Sequence, residues 1–450
     1  MLTLCTKRAQ READGRAFKK RHNILVKNEM DAKQNIASGL SMFQQENDNF
    51  SQVQAAWRFY NNESVTTEAL QEPIVSNAVA AINEEAGSYV IAATDWSHVD
   101  YKHHHAKQDR ISKKSKANSE AQGYDLQSTL AVSTNNGAPI APLVQNLKTA
   151  TTVHSTYHPN IAMGTTHLSE LAQRAIWMKE HLDINKTLVH VIDREADSVA
   201  LYREFDANGL AFIVRAKTNG KVEIADTEVV IKQGELADSL AWGEKVKSIV
   251  YKQQHVNIYV NEIAIVITRD ATQMIKGQDG RSKLEKTAGA AVPARFIVER
   301  LVNEKGEIVA TWLLISNLPP AVNTETIGLW YYYRWNIESY FKLLKSSGFT
   351  LEQWQQEESG AIFRRLLVVS LACILVWKLA NATNKNAQEL RKFLVKISGR
   401  LVEKKKEFTA PALLAGLWSF LTIIETMQHY DLESLLAMKS QMEEIMGIEL

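Results

Sequence analysis

Two aspartates close apolar runs. Asp95 follows SYVIAAT (Ser88–Thr94), and Asp193 follows LVHVI (Leu188–Ile192). Each run reads as a buried strand, and clefts form at strand ends in an open sheet, so each carboxylate is expected at a rigid, accessible position. One such aspartate is ordinarily a turn or cap residue; two in an alternating α/β pattern point toward a metal site. A third set of groups lies in IGLWYYYRWNIESYFKLLKSSG (Ile327–Gly348), where Tyr331, Arg334, Glu338 and Lys345 stand at offsets 0, 3, 7 and 14. In one continuous α-helix these four share an arc of about 60°, with Lys342 on the same side. Three carboxylates from separate segments suit a pair of Mg²⁺ ions, which prefer hard oxygen ligands and keep open positions for water and phosphate. Such a pair supports phosphoryl transfer, and the arginine and lysines suit phosphate. An amphipathic helix with ordinary salt bridges would give the same helical pattern.

The elements that must carry these groups follow from the remaining sequence. Residues 1–78 read as polar helices. The first thirty residues hold eight basic side chains (Lys7, Arg8, Arg11, Arg16, Lys19, Lys20, Arg21, Lys27) against three acids, which suits either a solvated face or a phosphate-contacting arm. AAWRFYNNESVTTEAL reads as helix, turn, helix, with Ser64 or Thr66 as a cap. Leu126–Ser133, Ile140–Leu147 and Leu210–Arg215 read as further strands. Thr165–His181 and the segment through Glu204 read as helices. Residues 218–310 read as strand throughout, a β-rich insertion. From Thr324 onward the pattern is helical. The longest apolar run, Leu366–Ala380, is interrupted by Lys378 and reads as a buried core helix rather than a membrane span.

The chain has 450 residues, 45% hydrophobic and 23% charged, which excludes wholesale disorder. With 52 basic and 51 acidic residues the net charge is +1, so a nucleic-acid partner must be met by local patches. One such patch is Tyr101–Lys116 (YKHHHAKQDRISKKSK), with six basic residues and one acid. Its histidines, His103–His105, are adjacent and diverge, unlike spaced zinc ligands, and suit DNA contact better. Cys5 and Cys373, far apart, support neither a disulfide framework nor a zinc site. No secretory signal is visible at the basic N-terminus, which predicts a soluble intracellular protein.

Three segments give the chain a family resemblance. TDWSHVDYKHH surrounds Asp95, VIDREADSVALY surrounds Asp193, and YYYRWNIESYFKLLK holds the pattern Y-x2-R-x3-E-x6-K. Together they resemble bacterial insertion-sequence transposases of the DDE type. More narrowly, they are similar to the insertion-sequence-four family, in the branch that contains the transposon-five transposase. The likeness runs from about Ala55 to Leu371.

The resemblance implies an α/β, RNase H-like catalytic core over 79–375, with the β-rich insertion at 218–310. A helical DNA-binding region (1–78) and a helical C-terminal region (376–450) that pairs subunits would flank it. It implies Asp95, Asp193 and Glu338 as catalytic metal ligands for two Mg²⁺ ions, with Mn²⁺ as a substitute. Arg334 and Lys345 would contact phosphates, with Lys342 beside them, and Tyr331 would bind DNA. Trp312 would stack on a flipped base, and Arg215 and Lys217 would meet the terminal nucleotides.

The implied reaction is cut-and-paste transposition: nicking, hairpin formation and opening, then strand transfer. Its partners would be double-stranded element ends and target DNA, with a homodimer in the synaptic complex and no membrane. The setting would be bacterial cytoplasm, at the nucleoid when DNA-bound. The region before Ala55 departs from the family pattern. A catalytically inactive DNA-binding regulator, a structure-selective nuclease and a paired-carboxylate glycosidase are rival readings. Metal-dependent nicking and strand transfer separate the first two; the basic helix argues against the third.

Overall fold

A computed structural model describes residues 15–26, 29, 49–114, 120–158, 161–162, 167–251, 254–276, 282–403 and 406–449. Cys5, Lys7, Arg8, Arg11, Lys27 and Lys116 lie outside the described residues. The chain begins with helices α1 (15–26), α2 (Asn49–Asn61) and α3 (Thr67–Glu84). Strands β1 (Tyr89–Asp100), β2 (Ile111–Lys114), β3 (Glu120–Val132), β4 (Pro139–Lys148) and β5 (Val153–Ser155) follow. An alternating stretch comes next: α4 (His167–His181), β6 (Thr187–Ile192), α5 (Val199–Ala207) and β7 (Ala211–Arg215). The strand-rich interval holds β8 (Lys221–Ile224), β9 (Val230–Lys232), a short α6 (Gln233–Ser239) and β10 (Glu244–Tyr251). It continues through β11 (Gln254–Ile267), β12 (Ala271–Lys276), β13 (Ser282–Thr287), β14 (Val292–Asn303) and β15 (Ile308–Ser316). The rest is helical: α7 (Thr324–Tyr333), α8 (Asn336–Lys342), α9 (Ser359–Asn381), α10 (Lys385–Ile397), α11 (Ala410–His429) and α12 (Leu432–Met446).

The described residues form two compact units, each assembled from separate stretches of chain. One comprises residues 75–98 and 124–340. Its centre is a mixed sheet in the order β5-β4-β3-β1-β6-β7-β15-β14-β11-β8-β9, with β10 paired to β11. β1 runs parallel to β6, and β6 to β7. Both pairings are buried, as apolar runs such as YVIAAT and TLVHVI require. β15 then pairs antiparallel with β7, Leu314 opposite Arg215, so the insertion strands extend the central sheet. On one face, Leu171 and Ala175 of α4 and Tyr202 and Phe205 of α5 pack over Phe212, Val214, Phe296 and Val298. α7 packs on β11 and β14. The interval from 218 to 310 is not all strand, since α6 interrupts it.

Two expectations about the elements need correction. β1 does not stop at Asp95; it runs on through half-buried Trp96–His98 and buried Val99 to Asp100, so Asp95 stands within the strand. The helix from Ile327 to Gly348 is not continuous either. α7 ends at Tyr333, Arg334 and Trp335 form a turn, α8 begins at Asn336, and Leu343–Ser347 is a π-helical turn. Around the break the amides bond three residues back: Arg334 to Tyr331, Trp335 to Tyr332, Ile337 to Arg334 and Glu338 to Trp335. This tighter winding places side chains three apart above one another, and the π turn then changes the phase again. The shared arc computed for a uniform helix does not hold.

The other unit comprises residues 1–74, 99–123 and 341–450. Its spine is α9, whose Ile362, Leu366, Val369 and Cys373 are buried. Arg365 of α9 pairs with buried Glu29 at 2.9 Å and stacks on Trp354. The basic stretch after β1 is divided: Lys102 and Lys113 are exposed, whereas Lys107 is built into the fold. Lys107 is buried, donates from Nζ to the Trp354 carbonyl and lies over the Tyr101 ring. His104 packs edge-on against Tyr101, whereas His103 and His105 are exposed. Among the described residues, two helices are long and apolar enough to cross a membrane by length and composition. One, α9, is 83% buried within the fold, but α11 is only 28% buried.

Candidate active site

Strand pairing delivers the first two carboxylates. β1 and β6 are parallel neighbours in register, Thr94 beside Ile192, so Asp95 and Asp193 follow at matching heights. The turn between α7 and α8 brings the third group. The Arg334 guanidinium is buried; it donates to Asp95 Oδ2 at 2.8 Å and lies 3.6 Å from Glu338 Oε1. Asp193 accepts from the Tyr331 hydroxyl at 3.3 Å and from Arg215 Nη1 at 3.4 Å. Three carboxylates from distant segments therefore gather around one arginine, flanked by a second arginine and a phenol.

The electrostatics record that crowding. Burial, followed by the charges of Asp95 and Asp193, pushes the Glu195 carboxyl up to about 8. Burial likewise raises Glu338, with Arg334 opposing and the two aspartates adding to the rise. Asp193 goes the other way: burial works against its charged form, but the Arg194 amide, Arg334 and Arg215 together hold it below the usual carboxylate range. Burial pushes the Tyr331 hydroxyl up to about 12. Four carboxyl groups, Asp95, Asp193, Glu195 and Glu338, thus act on one another beside two arginines, Arg215 and Arg334.

Among the described residues, no three His, Cys, Asp or Glu side chains stand close enough to hold one metal ion as arranged here. The Arg334 guanidinium lies between Asp95 and Glu338. The donor set itself is hard oxygen with surplus negative charge, which fits a hard divalent cation. The residues fit; their present spacing is set by the arginine.

The remaining candidates are placed as follows. Trp312, on β15, is only 4% exposed; its ring meets Tyr331 edge-on at 5.4 Å and Tyr251 at 6.0 Å. Lys217 is exposed, but its backbone N–H donates to Asp197 Oδ2 at 2.7 Å and its Nζ reaches the Asp197 carbonyl. Lys342 and Lys345 belong to the helical unit, where Lys345 pairs with Glu352 at 3.0 Å and Lys342 is exposed.

One residue of the site went unremarked in the sequence. Glu195 lies two positions after Asp193 in DREAD, but only the short 3₁₀ turn Arg194–Ala196 brings it back to the aspartates.

A profile of the transposase DDE domain matches residues 86–376, nearly two thirds of the chain. No curated protein matches it. Among solved structures, one similar chain is that of the piggyBac transposase in a cryo-EM synaptic complex with hairpin DNA. Identity is 11% and the TM-score 0.35, over 89% of this chain and 70% of that one.

Proposed function

The chain belongs to the transposase DDE domain family, and from that premise we propose that it is a cut-and-paste DNA transposase of the insertion-sequence-four type. The observation that carries this reading is the gathering of Asp95, Asp193 and Glu338 around Arg334. An RNase H-like core is supported by the strand order β4-β3-β1-β6-β7, with Asp95 in β1, Asp193 just past the end of the parallel neighbour β6, and the glutamate on a later helix.

Asp95, Asp193 and Glu338 would hold Mg²⁺, which supplies Lewis-acid polarisation of a phosphate and a more acidic water. The chain's own side chains do the rest. Arg334 would offer its fork to a DNA phosphate, a match that guanidinium geometry favours. Arg215 can leave Asp193 for a phosphate in the same way, with Lys217, Lys342 and Lys345 as further contacts. Tyr331 caps Asp193 and can donate to DNA. Trp312 offers a stacking platform once the tyrosine rings against it move aside. Nicking, hairpin formation, hairpin opening and strand transfer are each an in-line displacement at phosphorus, so one site can serve all four.

Two DNA ends must be handled together, and a homodimer follows as the assembly. α12 has no buried residue, and Leu432, Leu436, Met438, Met442 and Ile445 are exposed along it.

The test is cleavage of a plasmid carrying the element's own ends in Mg²⁺, with wild type and Glu338→Ala side by side. Excised fragment with hairpin or flush ends from wild type, and a loss of at least about 10³-fold in the variant at unchanged DNA binding, is the expected result. Binding without cleavage by the wild type would leave a DNA-binding regulator.

A further inference from the structure

On the face of β14 covered by α7, one residue has no counterpart in ordinary core chemistry. Glu299 is 0% exposed, and neither carboxylate oxygen has a hydrogen-bond partner. Its neighbours two positions away on the same face, Ile297 and Leu301, are fully buried and apolar. The adjacent arginines of β14 are engaged elsewhere. Arg300 donates to the carbonyls of Ala237, Leu240 and Ala241, and Arg295 to Glu262 and to the carbonyls that precede α7. An unpartnered buried carboxyl is costly, and an apolar side chain of its size would make a more stable fold.

The position of this carboxyl is informative. In the ladder, Glu299 stands opposite Trp312 on one side and Val260 on the other, so the three side chains share a face. α7 comes down on it at Gly328, where a Cβ would lie 3.2 Å from Glu299 Oε2. One turn further along, Tyr331 lays its ring edge-on to Trp312. The platform thus has beside it a buried carboxyl with no partner of its own, flanked by the apolar Ile297 and Leu301. A nucleobase matches that pairing: it brings a flat face for the indole and N–H groups along its edge.

We propose that Glu299 is a base-binding residue, accepting an N–H from the edge of the nucleotide that stacks on Trp312. This rests on the transposase reading above and adds the group that recognises the extruded base. The cost of keeping the carboxyl unpaired in the free protein is recovered when the base supplies its donor.

The test uses the full chain with Glu299→Leu and Glu299→Gln, and a duplex element end carrying 2-aminopurine beside its terminal pairs. Thermal melting, strand nicking, the fluorescence rise on base extrusion and hairpin yield are read together. Glu299→Leu should melt higher than wild type and nick within about twofold, while losing about tenfold in fluorescence rise and hairpin yield. Glu299→Gln keeps an acceptor and should retain most of both. A Leu variant that melts higher and still extrudes the base and forms hairpins like wild type overturns the proposal. So does one that melts lower and loses nicking together with extrusion, which marks a folding role. A wild type that extrudes the base but never nicks, with extrusion lost in Glu299→Leu, sustains the base contact while sinking the phosphoryl-transfer reading. No fluorescence rise in a wild type that nicks normally removes the base contact alone.

Discussion

At the scale of residues, Arg334 is the centre of the site. It is buried, it satisfies Asp95 at 2.8 Å, and it stands between that group and Glu338. Removing one partner of a buried ion pair leaves the other charge uncompensated, so Arg334→Ala should lose about 3 kcal/mol of unfolding free energy in EDTA. Millimolar Mg²⁺ should restore part of that loss, and Asp193→Asn in the same background should abolish the restoration; urea titrations with and without the ion measure both. A second buried group sets a pH dependence. His190 in β6 packs against Phe205, and burial followed by the charge of Arg174 pulls its imidazole down to about 4. Its folded value lies below the unfolded one, so the stability it lends is complete above about pH 6.5 and is lost as pH falls toward 4. His190→Leu should flatten the stability curve in that window relative to wild type, by up to about 1.4 kcal/mol per pH unit. The aspartates were legible in the sequence because each follows an apolar run that could only be a buried strand. Glu195 and Glu299 were not. Nothing local distinguishes a glutamate that a turn folds back, or one that a distant helix covers, from a solvated one.

At the scale of elements, the α7–α8 break shows where periodicity misleads. Tyr331, Arg334 and Glu338 do come together, but through tightened three-residue turns rather than along one α-helical face. Lys345, which the uniform helix placed with them, sits in the π turn instead. The strand-rich interval was legible as strands from its alternating Val and Ile residues. That β15 pairs with β7, and so joins the interval to the central sheet, depends on pairing between residues about a hundred positions apart, which no local pattern encodes. α6 was missed because seven residues span only two helical turns, too few to show a period. In the helical unit, α10 and α11 approach at Gly416, where a Cβ would collide with the backbone carbonyl of Leu394. Backbone on both sides cannot yield cheaply, so Gly416→Ala should cost about 3 kcal/mol despite the better helix propensity of alanine. Chemical denaturation of the variant checks this; a stability equal to wild type would mean that the two helices can separate without loss.

At the scale of the whole molecule, compactness does not follow chain order. Residues 99–123 belong with 341–450, while 75–98 and 124–340 form the sheet unit. Texture along the sequence divides helix-rich from strand-rich stretches, but it cannot reveal that a short excursion after β1 packs with a segment more than two hundred residues later. The C-terminal helices raise a different question. In α11, Ile423, Ile424 and Met427 are exposed; in α12, Leu432, Leu436, Met438, Met442, Ile445 and Met446 are exposed. These two helices carry a large share of the exposed apolar side chains of the described residues, and exposed apolar surface marks candidate interaction sites. The membrane alternative fits α12 poorly: its 15 residues include Glu433, Lys439, Glu443 and Glu444. A second copy of the same helices satisfies both features, since a two-fold contact can bury the stripe Met438, Met442, Ile445 and Met446 and leave Glu433 and Glu444 on the opposite side, with Lys439 and Glu443 paired to each other at its edge. Met438→Glu with Ile445→Glu, two substitutions on one side of α12, should therefore convert a dimer to a monomer in light-scattering chromatography. Because α12 buries nothing within its own chain, the melting temperature at low concentration should change little. A wild type that is already monomeric free of DNA, and in which the double variant leaves paired-end complexes intact, would rule out α12 as the pairing surface.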